Sequence, residues 1–208
     1  MHPISPSRAI TKFQGESFTH RILWTCALHQ LRAGEKTDID GAQWFLLSAL
    51  LTAYLAYEAY LNFLGDRLAP DVWRREKEFF RKPPYQGING KLEFILETLV
   101  SPKVNKGARP YQTIAWLENF RDLVVHGKPE KYEGEIEHPI DIEPQVLQSK
   151  IWALIERSAV KRAFEDVEKF ACALHDSAKP KLSKDVWFGD KPFNGSTGYA
   201  HRKKSLRR

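Results

Sequence analysis

Apolar positions along the chain recur mostly at helical spacing, and Pro and Gly cut the pattern into discrete segments. Residues 1–16 contain Pro and Ser without periodicity and read as a loose arm. Ser17 reads as the N-cap of a helix over Ser17–Ala33, stopped by Gly34, with Phe18, Ile22, Cys26, Leu28 and Leu31 roughly on one side. The strongest segment is Ala42–Leu68. From Gly41 to Tyr57 it runs seventeen residues without a charge, close to the roughly 18 expected of a membrane span. Gln43, Ser48 and Thr52 dilute it, and the pattern continues through Glu58, Asn62, Asp66 and Arg67. That favours the central buried helix of a bundle over a span, and no membrane contact is expected.

Further on, Pro70 introduces a short charged helix, Asp71–Lys82, stopped by Pro83 and Pro84. Gly87–Val100 is amphipathic, with Leu92, Ile95, Leu96 and Leu99 on one face. Thr113–His126 is closed by Gly127 and Pro129. Lys131–Ile142 alternates weakly and reads as an extended connection or small hairpin. Pro144 at a first-turn position starts a long helix, Gln145–Ser177, which Pro180 ends. The expectation is an all-α bundle of four to five main helices over residues 17–178, with essentially no sheet. In the tail, residues 179–208, Trp187, Phe188, Phe193 and Tyr199 are candidates to fold back onto the body.

Composition changes this picture at two points. The two cysteines, Cys26 and Cys172, exclude a disulfide-dense scaffold, and the N-terminal residues contain no apolar leader. A reducing, cytoplasmic setting is expected. The net charge of +6 is concentrated: residues 179–208 carry 9 basic and 2 acidic residues, the remaining 178 carry 23 and 24. A near-neutral body with a basic tail fits contact with a polyanion such as RNA, or a merely solvated tail.

The candidate chemistry lies in Trp116-Leu-Glu-Asn-Phe-Arg-Asp-Leu-Val-Val-His-Gly127. Arg121 and His126 share one otherwise apolar helix. At about 100° per residue, Asp122 and His126 lie on one face, and Arg121 is about 140° from His126. The two can therefore converge only on a shared groove beside the helix end. His126 occupies the last turn, where the helix dipole favours imidazolium by about 0.3–1 kcal/mol. A proton donor poised near neutrality and a planar phosphate-binding cation are what phosphodiester cleavage needs. The plainer reading is a C-terminal cap at His126 and a surface Arg121 paired with Glu118 or Asp122.

A long apolar helix containing Ala, Tyr and Glu (Ala49–Leu64), followed by a later helix ending in Arg-polar-x-x-x-His-Gly, resembles the HEPN domain superfamily over roughly residues 40–178. The hallmark there is Arg, four to six residues, then His, often with a polar residue after the Arg. Arg121, Asp122 and His126 fill those positions, with Asp where many relatives have Asn. The resemblance implies a HEPN-like bundle and a homodimer whose motif helices form one composite cleft. It implies a metal-independent endoribonuclease without cofactors, in which the RNA 2′-hydroxyl attacks the adjacent phosphate. His126 would transfer protons and Arg121 would stabilise the phosphorane. Such proteins often serve as toxins or defence proteins, with an antitoxin or nucleotidyltransferase partner. Other members are non-catalytic dimeric modules that bind a protein partner or nucleotide.

Glu58 is the first charge on the most apolar helix and needs a partner if buried. It either faces the cleft near Arg121 or marks where the helix reaches solvent. Tyr54 and Asn62 lie one turn to either side and would support the same cleft. Separately, Cys-Ala-Leu-His occurs twice, as Cys26–His29 and Cys172–His175. If the first and last helices met, Cys26, His29, Cys172 and His175 could form a tetrahedral zinc site, although the segments also read as ordinary helix-packing material. Trp116 and Trp152 are expected to pack in the core.

Overall fold

The architecture is organised around one helix, α2 (Ile39–Leu68), in a computed structural model that describes residues 12–36, 39–99, 104–131, 135, 137, 149–183 and 188–203. The long uncharged stretch is helical because it lacks any breaker before Pro70. Ala49, Leu50, Ala53, Tyr57, Leu61 and Leu64 on it are fully buried. Around it pack α1 (Thr19–Lys36), α3 (Pro70–Trp73), α5 (Gly87–Leu99), α6 (Tyr111–Val125) and α8 (Arg157–Ala178). The short α4 (Glu76–Phe79) and α7 (Lys150–Leu154) complete an all-α body of eight helices among the described residues. By length and composition α2 would suffice to cross a membrane, and half of its apolar window is buried inside this bundle.

Three helix boundaries differ from the sequence expectation. Gly34 does not end α1; it lies inside it, where a Cβ would come within 2.9 Å of Leu46 Cδ2, so the missing side chain lets α1 and α2 approach. The expected helix Asp71–Lys82 is two single turns, α3 and α4, broken between Arg74 and Arg75 so that Trp73 and Phe80 both reach the core. The expected helix Gln145–Ser177 is α7 and α8. Ser149 caps α7 by accepting from the Ile151 amide, and the chain turns extended at Glu156, leaving Ile155 buried between the two. No Pro or Gly marks that break, so periodicity alone carried straight through it. Residues 144–148 and most of Lys131–Ile142 lie outside the described residues.

The two ends are not loose where they are described. Lys12–Ser17 forms β1 and Gly198–Lys203 forms β2, paired antiparallel with Lys12 opposite Lys203 and Ser17 opposite Gly198. Ser17 is thus the last strand residue and not a helix cap. Between Phe188 and β2 the chain lies on the helices. Phe188 stacks on His175 (4.0 Å between centroids) and Phe193 on Trp24 (4.4 Å), both phenyl rings buried. Arg21 holds this strap through three carbonyls: Nη1 donates to Ser196 (2.8 Å), Nη2 to Lys191 (2.9 Å) and Nε to Pro192 (3.3 Å). One planar guanidinium serves three acceptors here, as its fixed fork allows. Trp187 and the Tyr199 side chain lie outside the description.

Candidate functional site

The motif helix α6 buries Ile114, Leu117 and Phe120 against α2 and α8 and leaves its last turn at the surface. Arg121 begins that turn. Its guanidinium sits 5.5 Å from the Tyr54 ring centroid on α2, and its Nη1 pairs with Asp122 Oδ1 at 2.7 Å. The side chain is 27% exposed, sheltered but reachable. Burial works against its charge, and Tyr54, Asp122 and Glu58 outweigh that, so the guanidinium holds its proton more tightly than usual. Beneath it the buried Tyr54 hydroxyl makes no hydrogen bond of good geometry among the described residues. Burial first, and then the Glu118 carboxylate, push that phenol well above its ordinary range.

His126 lies at the opposite edge of the turn. Its amide donates to the Asp122 carbonyl (2.9 Å), ending the helix, and its ring is exposed. It lines a surface groove with Lys128, Lys131, Lys150 and Ile151, and Arg121 is not part of that lining. Among the described residues no hydrogen bond or ion pair joins Arg121 to His126. Asp122 engages Arg121 by its side chain and His126 only by its backbone. The motif therefore presents two half-sites on one helix end: a sheltered cation over Tyr54 and an open imidazole in a lysine-lined groove.

Glu58 is half-buried in a cleft with Lys77, Phe80, Ile88 and Lys91, near enough to act electrostatically on Arg121 without touching it. Asn62 is committed elsewhere, accepting from Lys91 Nζ at 2.8 Å. Of the three residues expected to support one cleft, Tyr54 touches Arg121, Glu58 acts on it at a distance, and Asn62 turns to Lys91, which also lines the cleft of Glu58.

The four candidate zinc ligands do not assemble. Cys26 and His29 are exposed on α1, whereas His175 is buried, with Nδ1 at 3.2 Å from the Tyr60 hydroxyl and Nε2 at 3.3 Å from the Gly189 carbonyl. Among the described residues no group of three or more His, Cys, Asp or Glu is arranged to hold a metal ion. Trp116 and Trp152 are partly buried and pack against the edge of the core, and Trp152 also meets Trp44, which is 62% exposed, edge-on at 4.7 Å.

No family model, curated protein or solved structure matches this chain. The site thus rests on its own geometry.

Two polar clusters were passed over in the sequence. Lys91 is buried between Asn62, Glu76 and the Phe80 ring. Asp166 is buried under Arg109, which grips it with Nε (2.6 Å) and Nη2 (3.0 Å), and it also accepts from Thr113. A signal existed for the second. Asp166 interrupts the apolar stripe Val160, Ala163, Phe164, Val167, Phe170 on α8, and a lone acid on a buried face requires a cation. For Lys91 no such signal is visible, because its partners come from α2 and α4.

Proposed function

We propose that this chain is a metal-independent endoribonuclease of HEPN type, acting as a homodimer, with Arg121 and His126 as its catalytic pair. The observation that carries the reading is the placement of both motif side chains at the solvent end of a helix that is anchored to the core by Ile114, Leu117 and Phe120. His126 is exposed, and Arg121, although it covers the buried Tyr54 ring, keeps its guanidinium reachable from solvent. In the proposed reaction the RNA 2′-hydroxyl attacks the neighbouring phosphorus, and the P–O5′ bond breaks. The products are a 2′,3′-cyclic phosphate and a 5′-hydroxyl. His126 exchanges protons with the attacking or leaving oxygen, and Arg121 offsets charge on the phosphorane. Asp122 and Tyr54 orient Arg121, and Glu58 adds field. Since Arg121 and His126 of one protomer do not meet, the reading calls for a two-fold pairing that sets one protomer's Arg121 near its partner's His126. A role as a toxin or defence protein, in the cytoplasm and with an antitoxin or nucleotidyltransferase partner, belongs to the same proposal.

The test is incubation with total RNA in EDTA. Cleavage should persist without metal, and Arg121→Ala and His126→Ala should each reduce it by about 10²–10⁴-fold while melting as the wild type does. Light scattering should give about twice the 24.0 kDa chain mass. One observation favours a second reading, a non-catalytic binding module: the Arg121 guanidinium is already paired with Asp122. RNA left intact by a folded wild type would select it.

A further inference from the structure

We propose that the hollow between α6, α7 and α8 binds a free aromatic amino acid as its zwitterion. This stands apart from the ribonuclease reading: the hollow lies on the first half of α6, and none of Arg121, Asp122 and His126 lines it. The first observation is a preset arginine. Arg109 fixes its guanidinium on the buried Asp166 through Nε and Nη2, which leaves Nη1 without a hydrogen bond among the described residues. A bidentate carboxylate holds the guanidinium plane in place before any ligand arrives. The Arg109 side chain is half exposed and lines a hollow of about 400 Å³, a size suited to one small molecule. Arg162 lines the same hollow and stands one turn before Asp166 on α8, so the two guanidiniums flank one end.

The second observation is the opposite charge in the same lining. Glu156, at the bend between α7 and α8, lines the hollow nearly two turns before Arg162. Neither the Glu156 nor the Arg162 side chain has an ion-pair or hydrogen-bond partner among the described residues. Asp166 offsets Arg109 and Glu156 offsets Arg162, so the hollow is neutral in sum and charged at its ends. Glu165 and Lys169, exposed on α8 near Arg109 and Asp166, carry opposite signs and cancel. A simple anion would meet Glu156, and a simple cation would meet two arginines. A zwitterion meets both ends with the right sign, and both side chains are long enough to close on the two charges of one α-carbon. The lining also holds the Trp116 indole, backed by the Phe120 ring at 5.6 Å between centroids, and the apolar Ala153, Leu154 and Ala159. An aromatic side chain finds its burial there.

The experiment is isothermal titration calorimetry of the full chain with L-phenylalanine. Beside it stand N-acetyl-L-phenylalanine, which lacks the ammonium, L-phenylalaninamide, which lacks the carboxylate, and L-alanine, which lacks the ring. L-Phenylalanine should bind, and each of the other three should bind about tenfold or more weakly than it does. Arg162→Ala should weaken L-phenylalanine by a similar factor. Glu156→Gln should weaken L-phenylalanine yet strengthen N-acetyl-L-phenylalanine relative to the wild type, a pair of opposite changes that a general loosening of the site does not produce. Both variants replace exposed side chains and should melt as the wild type does. No binding of L-phenylalanine at millimolar concentration overturns the proposal. Equal or tighter binding of N-acetyl-L-phenylalanine by the wild type overturns it too, by assigning the hollow to a plain anion. Equal binding of L-alanine denies the indole its role, and an affinity that neither variant moves places the ligand elsewhere; either result overturns the site as drawn. The RNA incubation is untouched by all of these outcomes.

Discussion

His20 shows how far a single side chain can be moved by its surroundings. It is 2% exposed, its ring lies 4.5 Å from that of Phe63, and its Nε2 has no hydrogen-bond partner among the described residues. Burial, and then the neighbouring Arg21 charge, pull its pKa down to about 3. Burial lowers His175 as well. Both rings stay neutral in the folded protein at pH values where an unfolded histidine, near about 6.5, has taken up a proton. Stability is therefore complete above that pH and declines as pH falls, by up to about 1.4 kcal/mol per pH unit for each histidine. For His20 the loss continues until about pH 3. Urea unfolding at neutral and mildly acidic pH should show this slope, and His20→Phe should flatten it. Asp166 acts in a lower window. Burial would raise its pKa, but Arg109 and Thr113 lower it overall, so its contribution is present above the ordinary carboxylate range and lost below it. Asp166→Ala should cost roughly 1–3 kcal/mol, because Thr113 and a half-exposed Arg109 lose their acceptor.

Between elements, a close fit depends on Gly65 on α2. A Cβ there would fall 1.9 Å from Trp73 Cζ2, so the indole of α3 lies directly against the helix backbone. Gly65→Ala must displace Trp73 and should destabilise by about 1–3 kcal/mol despite its better helix propensity, read as a lowered midpoint in chemical denaturation. This contact also marks the limit of what the sequence discloses. Helices α2, α5 and α6 could be read within a few residues, because their apolar spacing and their Pro and Gly stops are local. The α7–α8 break, the α3–α4 break and Gly34 inside α1 could not. Each is decided by what a distant element offers: a buried place for Ile155, Trp73 or Leu46. The motif obeys the same division. Arg121, Asp122 and His126 were legible as a spacing, and Tyr54 as a face of α2. Helix geometry gave the angle between Arg121 and His126, but the shared groove expected of them is not what the protomer shows, since Arg121 does not line the groove of His126; that outcome, like the partnership of Asn62 with Lys91, depended on tertiary packing.

At the scale of the whole molecule, residues 188–203 belong to the body. As a free basic tail, this region could be removed without harm; with Phe188 and Phe193 buried, it cannot. Phe193→Ala should cost about 3–5 kcal/mol. Truncation before Phe188 should expose Trp24 and His175 and lower the melting temperature sharply, a result that thermal melts monitored by circular dichroism can check. The pairing of β1 with β2 has a mechanical meaning as well. Tension applied at Lys12 and Lys203 opens the pair there first and reaches Ser17 and Gly198 last. Ladder bonds between antiparallel strands lie across the strand direction, so such a load opens them one after another, as a zipper, instead of shearing all of them together. It then meets Arg21 and the stacked Phe193, where the resistance rises. The strands are a weak outer latch over a strong inner clasp, and stretching one molecule in an optical trap should give a small, low-force, reversible extension well before the helices part.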